Sequence, residues 1–241
     1  MDKSIVPPVA REISGSPTLA TAVYRRLRTD IVKGQLQPGE KLRIEALSER
    51  YAVGASPLRE ALNRLSTEGL VAQKDQRGFV VAPISQEELT ELTRTRCWIG
   101  EIALRESIRH GDAIWEESVL IAYHRLRRQP KRSADNLNHE SREWDSLHQA
   151  FHTALIAACP SRLLIDYMNQ LFDRSDRYRN LVVARSIASR DIDDEHQQLM
   201  DAVIGRDTER AVRLHSDHLN RTAALLLELL QNLERTEQGA A

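Results

Sequence analysis

The sequence predicts a mainly α protein in two parts, an N-terminal winged helix-turn-helix over 18–83 and a C-terminal six-helix antiparallel bundle over 84–236. Three observations carry this expectation. Between Glu45 and Leu70 two short apolar stripes of helical spacing flank a break at Val53-Gly54, the pattern of two helices joined by a tight turn. Two β-prone runs, Leu70 to Gln73 and Gly78 to Val81, follow at once around a polar turn, the pattern of a hairpin. Beyond Pro83-Ile84-Ser85 apolar residues recur at helical spacing to Leu233 with almost no strand signal.

In chain order, residues 1–17 mix Pro, Ser and Gly without any period and are expected to form a flexible tail. Leu19, Val23, Leu27 and Ile31 then repeat every four residues, an amphipathic helix that Gly34 stops. After the Pro38-Gly39 turn, Ala46, Leu47 and Tyr51 give the first helix of the pair. Ser56 as N-cap and Pro57 at the first helical position are expected to open the second. Its Leu58, Ala61, Leu62 and Leu65 hold one face, Arg59, Asn63 and Arg64 the other, and Gly69 ends it. Those outward donors suit phosphates and base edges, so the second helix reads as the recognition helix. Arg43 before the pair and Arg77-Gly78 at the tip of the hairpin complete the expected DNA-binding set, the wing being able to approach a groove closely.

Ser85 with Glu88 three residues on is a capping-box pattern, and a long helix is expected to run from there to about Arg109. Further helices are expected over 112–129, 138–158, 162–183, 191–205 and 207–233, separated by Gly111, Pro130, Pro160, the polar stretch near 186–190 and Gly205. Residues 237–241 are expected to fray.

Composition narrows the function classes. With 41% hydrophobic and 29% charged residues the chain is an ordinary globular one, and no apolar run approaches the roughly 20 residues of a membrane span. The N-terminus lacks the apolar core of a signal peptide, so a cytoplasmic protein is expected. The net charge of −1 hides an asymmetry: 18–83 carries 11 Lys and Arg against 7 Asp and Glu, a balance of +4, and 84–241 carries 21 against 26, a balance of −5. A basic head on an acidic body suits a front end that meets a polyanion. Cys97 and Cys159 have neither metal nor redox spacing and are expected to be small buried residues.

Five histidines of the second part invite a chemical reading. His148 and His152 stand four apart and share a helix face, His196 opens the next-to-last helix, and His215 and His218 lie on the last. An i,i+4 pair joined by single histidines from two other helices can hold a divalent transition metal in a bundle core. Surface or hydrogen-bonded core histidines are the other reading. The run from Arg174 to Arg179 is either a solvated, ion-paired face or a source of one arginine that grips a carboxylate ligand; Arg177, Tyr178 and, on the first bundle helix, Arg96 are the candidates. No nucleophile with its base, phosphate loop or dinucleotide fingerprint is visible. A metal-dependent helical enzyme with an accessory winged helix stands as the alternative to a DNA-binding regulator, and would need an open coordination position and a carboxylate base.

Taken together, these residues resemble the GntR family of bacterial transcription regulators, in the branch whose helical domain is called FCD. In the head the resemblance rests on Leu36 to Leu42, Leu47 to Tyr51, Pro57 to Leu62 with Leu65, Gly69 to Val71 and Arg77 to Val81; in the body on Phe151-His152, Glu195-His196 and His218. It implies a homodimeric regulator that grips a palindromic double-stranded operator and changes that grip when a small organic acid enters the bundle. It further implies a divalent metal, zinc or nickel, held by His148, His152, His196 and His218, with His148 standing where the family has Asp, and His215 as a bystander. The recognition helix lacks the family's arginine before its small-residue-Pro pair, where Gly54-Ala55 stands, and Gly100 stands where relatives often carry Glu. His148-x-x-Phe151-His152 and Arg177-Tyr178-Arg179 also look like the subgroup of the carbon-starvation-induced regulator, which points to a dicarboxylate effector; the leading expectation is a repressor released by a small carboxylate.

Overall fold

The computed structural model describes residues 18–74, 78–131, 142–182 and 192–239. The expected N-terminal tail, Arg77 of the wing and the polar stretch near 186–190 lie outside the described residues.

In the head, α1 (Leu19–Val32) is capped by Thr18, whose Oγ1 accepts from the Thr21 N–H. Its buried Val23, Leu27 and Ile31 lie against α2 (Ile44–Tyr51) and α3 (Ala55–Thr67), which contribute Leu47, Tyr51, Leu58, Leu62 and Leu65 to one core. The turn between α2 and α3 is made by Ala52, held in the left-handed region at φ 55°, rather than by Gly54, which is extended. The recognition helix therefore begins two residues earlier than the sequence suggests. Gly54 is its N-cap, Ser56 makes no cap, and Pro57 sits third in the helix, where its missing N–H would have had no intrahelical partner. At the other end Gly69, at φ 75°, lets the Leu70 N–H reach the Leu65 carbonyl at 3.0 Å and the Gly69 N–H reach that of Ser66 at 3.1 Å. This paired closure satisfies two end carbonyls of α3.

Strands β2 (Val71–Lys74) and β3 (Gly78–Val81) form the expected antiparallel wing, with Val71 opposite Val81 and Lys74 opposite Gly78. A third strand not anticipated from the sequence, β1 (Lys41–Leu42), pairs with the other side of β3, so the order is β1-β3-β2. Two residues are too short to show a period of two, and only the pairing partner makes them a strand.

Six helices follow among the described residues: α4 (Gln86–His110), α5 (Ala113–Arg128), α6 (Arg142–Leu155), α7 (Arg162–Val182), α8 (Ile192–Ile204) and α9 (Thr208–Gly239). Ser85 caps α4, its Oγ accepting from the Glu88 N–H at 3.1 Å. Asp112 caps α5 through the Trp115 N–H at 2.9 Å. Helix α9 runs on to Gly239, past both the expected end at Leu233 and the expected start of fraying at 237, while 240–241 lie outside the described residues. Leu104, Val119, Phe151, Tyr178, Val203 and Leu226 are among the buried residues of the bundle core. No described helix is long and apolar enough to cross a membrane.

Head and bundle are joined by more than the linker. Arg28 of α1 and Lys33 at its C-terminal cap form ion pairs with Asp173 of α7 and Asp145 of α6, and the Asn180 amide donates to the Val32 carbonyl at 3.1 Å.

Candidate functional site

Helix α6 brings His148 and His152 to one buried face because four residues make about one turn. His196 at the start of α8 and His218 in the middle of α9 meet them from across the bundle. One donor atom from each of the four lies within 4.8 Å of the others, and all four residues are buried. Nε2 of His148 and Nε2 of His152 are 3.1 Å apart. Tetrahedral zinc bonds of about 2.1 Å would set donor atoms about 3.4 Å apart, so small side-chain adjustments would close the cluster on one ion. The four histidines named from the sequence thus converge in space.

The electrostatics favour the ligand form. Burial holds His148 and His152 well below the usual imidazole range, with the Arg179 charge acting further on His148 and the His218 ring on His152. The neutral imidazole is the form that offers a lone pair. Around the cluster, His218 Nδ1 is 2.9 Å from Glu195 Oε2, an arrangement in which a carboxylate orients the ring and leaves Nε2 to face inward. Trp144 stacks on His148 at a centroid distance of 4.6 Å. His148 Nδ1 accepts a 2.8 Å hydrogen bond from Arg179 Nη1.

Arg96 is buried beside this cluster. Its Nη1 donates to Ser175 Oγ at 2.7 Å and its guanidinium lies 5.4 Å from the centroid of Phe172, a ring that also packs against His148 and His152. Nε of Arg96 finds no hydrogen-bond partner among the described residues, and burial lowers its pKa to about 10. A buried, incompletely paired guanidinium next to four imidazoles is well suited to an anion. His215 is buried against α4 at Gly100, its Nδ1 without a partner among the described residues, and burial pushes its pKa down to about 3.

The other two expected effector residues lie elsewhere. Arg177 Nη2 donates to the carbonyls of Ala82 and Pro83, at 2.7 and 3.1 Å, and so holds the linker between head and bundle. The Tyr178 hydroxyl donates to Glu88 Oε2 at 2.5 Å and accepts from the Ser85 N–H at 3.2 Å. Neither bonds to the histidines, because α7 presents them to the start of α4. The 174–179 run is therefore not a solvated face: Arg174 pairs with Glu88 and Arg179 with Asp145 and Asp176. Cys159 is buried as expected, whereas Cys97 is only half-buried.

On the head, Arg43, Ser56, Arg59, Asn63 and Arg64 are exposed, Pro57 is half-buried, and Gly78 is exposed at φ 73°. Arg64 is not free-standing, since its guanidinium lies 4.0 Å above the Tyr24 ring. Nothing in local pattern pointed to Arg28, Lys33, Asp145 and Asp173 as partners, since the two basic groups lie more than 100 residues from theirs. Glu195 was visible only as the neighbour of His196.

Comparison with known proteins agrees with this architecture. The model of the gntR family of bacterial regulatory proteins matches residues 19–81, and that of the FCD domain matches residues 91–221. The chain is 36% identical over 225 residues to an HTH-type transcriptional regulator, BphR, of Paraburkholderia xenovorans, covering 93% of this chain and 92% of that one. It is 40% identical over 200 residues to the HTH-type transcriptional repressor GlaR of Escherichia coli, covering 81% and 90%. Among solved structures, E. coli McbR/YncC superposes with a TM-score of 0.72 at 19% identity over 88% of this chain and 98% of that one. A GntR regulator from Rhodococcus sp. RHA1 does so with 0.69 at 22% identity over 87% and 97%.

Proposed function

Because the chain belongs to the gntR family of bacterial regulatory proteins and carries an FCD domain, and so is a DNA-binding transcriptional regulator and not an enzyme, we propose that it is a metal-dependent, acid-responsive repressor. The repressor sign follows the printed name of the E. coli relative. One observation carries the ligand half: four buried imidazoles converge beside the incompletely paired Arg96.

In this reading His148, His152, His196 and His218 hold a divalent metal, zinc in preference to nickel. With four imidazoles already around it, the ion would take a carboxylate oxygen only as a fifth ligand, expanding beyond the tetrahedral arrangement, while Arg96 takes up the remaining negative charge of the acid. A dicarboxylate suits a site with both a metal and a guanidinium. Two copies pair so that two heads read the two halves of a palindromic operator. Arg43, Ser56, Arg59, Asn63, Arg64, Arg77 and Gly78 face the DNA, and Pro57 shapes the start of the recognition helix. The acid acts only through its difference in affinity for the two arrangements of head and bundle.

Three measurements test this reading together. Metal analysis of purified protein is expected to give about one ion per chain. A thermal-shift panel of small mono- and dicarboxylates is expected to contain a stabilising acid, and that acid is expected to release a fragment of the protein's own promoter in a mobility-shift assay. Absence of bound metal, with His152→Ala leaving the acid response intact, sinks the metal half. Failure to shift any fragment of its own promoter at low salt sinks the operator half.

A further inference from the structure

Four polar groups run in a line from the histidine cluster to the head. His148 Nδ1 accepts from Arg179 Nη1 at 2.8 Å. Arg179 Nη2 donates to Asp145 Oδ1 at 2.9 Å and also pairs with Asp176 at 2.5 Å. The second oxygen of Asp145, Oδ2, takes Lys33 at the C-terminal cap of α1. His148, Arg179, Asp145 and Asp176 are all buried, and the Lys33 side chain is 18% exposed, so water screens these charges little.

The hydrogen-bond chemistry of Arg179 makes this line selective. A guanidinium has donors and no acceptor, so Nδ1 of His148 must be the ring's lone-pair nitrogen and its single proton must sit on Nε2. Nε2 is also the atom that faces His152, at 3.1 Å. A cation held by Nε2 needs the lone pair there. The ring proton then resides on Nδ1, where two donors, Nδ1–H and Arg179 Nη1–H, face each other.

We propose that Arg179 is a positioning residue that couples occupancy of the histidine cluster to the grip of the bundle on the head: capture of a cation at His148 Nε2 drives the Arg179 guanidinium off Nδ1 and onto Asp145 and Asp176, where it competes with Lys33. The proposal rests on the metal reading above. Its consequence is a weaker Lys33–Asp145 pair in the occupied state, which frees the end of α1 while Arg28–Asp173 remains as the second contact. The coupling depends on an imidazole at position 148, because a carboxylate there would accept from Arg179 with or without a bound cation.

Coupling is reciprocal, so a head residue must change the affinity of the histidines. Removing Lys33 leaves Asp145 wholly to Arg179 and so favours the occupied state. The test is titration of the full chain with Zn²⁺ in the presence of a competing chelator, comparing wild type with Lys33→Met, Lys33→Arg and Arg28→Met. Lys33→Met is expected to bind Zn²⁺ at least about fivefold more tightly than wild type. Lys33→Arg, which keeps the charge, and Arg28→Met, which cuts the other contact, are expected to stay within about twofold of wild type. Equal affinities for Lys33→Met and wild type overturn the coupling, and so does an equal gain in Arg28→Met, which would assign the effect to docking in general. A wild-type protein that binds no Zn²⁺ overturns the metal reading itself, an outcome that the wild-type titration alone identifies.

Discussion

A Cβ atom at Gly100 would stand 2.4 Å from Cε1 of His215, so the imidazole of α9 lies directly on the backbone of α4. The absence of a side chain at Gly100 and the buried ring of His215 are two halves of one packing solution. Gly100→Ala is expected to lower stability by about 1–3 kcal/mol through overpacking, and His215→Ala in the same chain is expected to restore part of it. Urea unfolding of the two single variants and the double variant measures the coupling.

Recognition of DNA is expected to divide by residue. Arg59 is exposed on α3; if it reaches base edges as proposed, Arg59→Ala is expected to cost about tenfold in operator affinity. Arg43 stands at the N-terminal edge of α2; in the proposed role of phosphate contact, Arg43→Ala is expected to weaken all sequences alike and reduce the slope of log K against log salt by about one. Binding isotherms at three salt concentrations on operator and unrelated DNA separate the two effects.

Stability should depend on pH through Asp173. Burial raises its pKa from 3.8 to about 6, against the opposing pull of Arg28 and the Gln149 amide and with the help of neighbouring Asp176. The folded value lies above the unfolded one, so the native state holds the proton more tightly between them. Its stabilising contribution is complete below about pH 4 and is lost as pH rises through 6, a change on the order of 1–3 kcal/mol. Wild type is therefore expected to lose stability relative to Asp173→Asn as the pH is raised from 4 to 6.5. Parallel unfolding curves for the two proteins across that window would contradict this.

Arg96→Met is expected to abolish the thermal shift produced by an acid while leaving Zn²⁺ affinity within a few-fold of wild type. The guanidinium is assigned to the anion, whereas the donor set for the ion is histidine. Loss of both properties in a folded variant would instead make Arg96 part of the scaffold.

Legibility differed from element to element for physical reasons. The wing, the recognition helix and six bundle helices were written in local periodicity and in caps such as Ser85 and Asp112, signals that need only a few neighbouring residues. Strand β1 and the turn at Ala52 were not, since a two-residue strand takes its identity from β3 and a left-handed alanine costs about 1–2 kcal/mol that only the surrounding packing offsets. Arg177 and Tyr178 read as ligand residues because their run is rich in cations, yet the rotation of α7 in the bundle gives them to the linker and to Glu88.

By itself, then, the sequence determined the two-part architecture and which four histidines share a centre, because helical spacing sets their faces and the family pattern ties the helices together. The tertiary structure alone decided what surrounds that centre: Glu195 on His218, Arg179 on His148, and the acidic pair Asp145 and Asp173 that holds α1. Those partners are up to 145 residues apart in the chain. Charge pairing across such separations leaves no trace in local pattern, since it is created only when packing brings two helix faces together and removes the water between them.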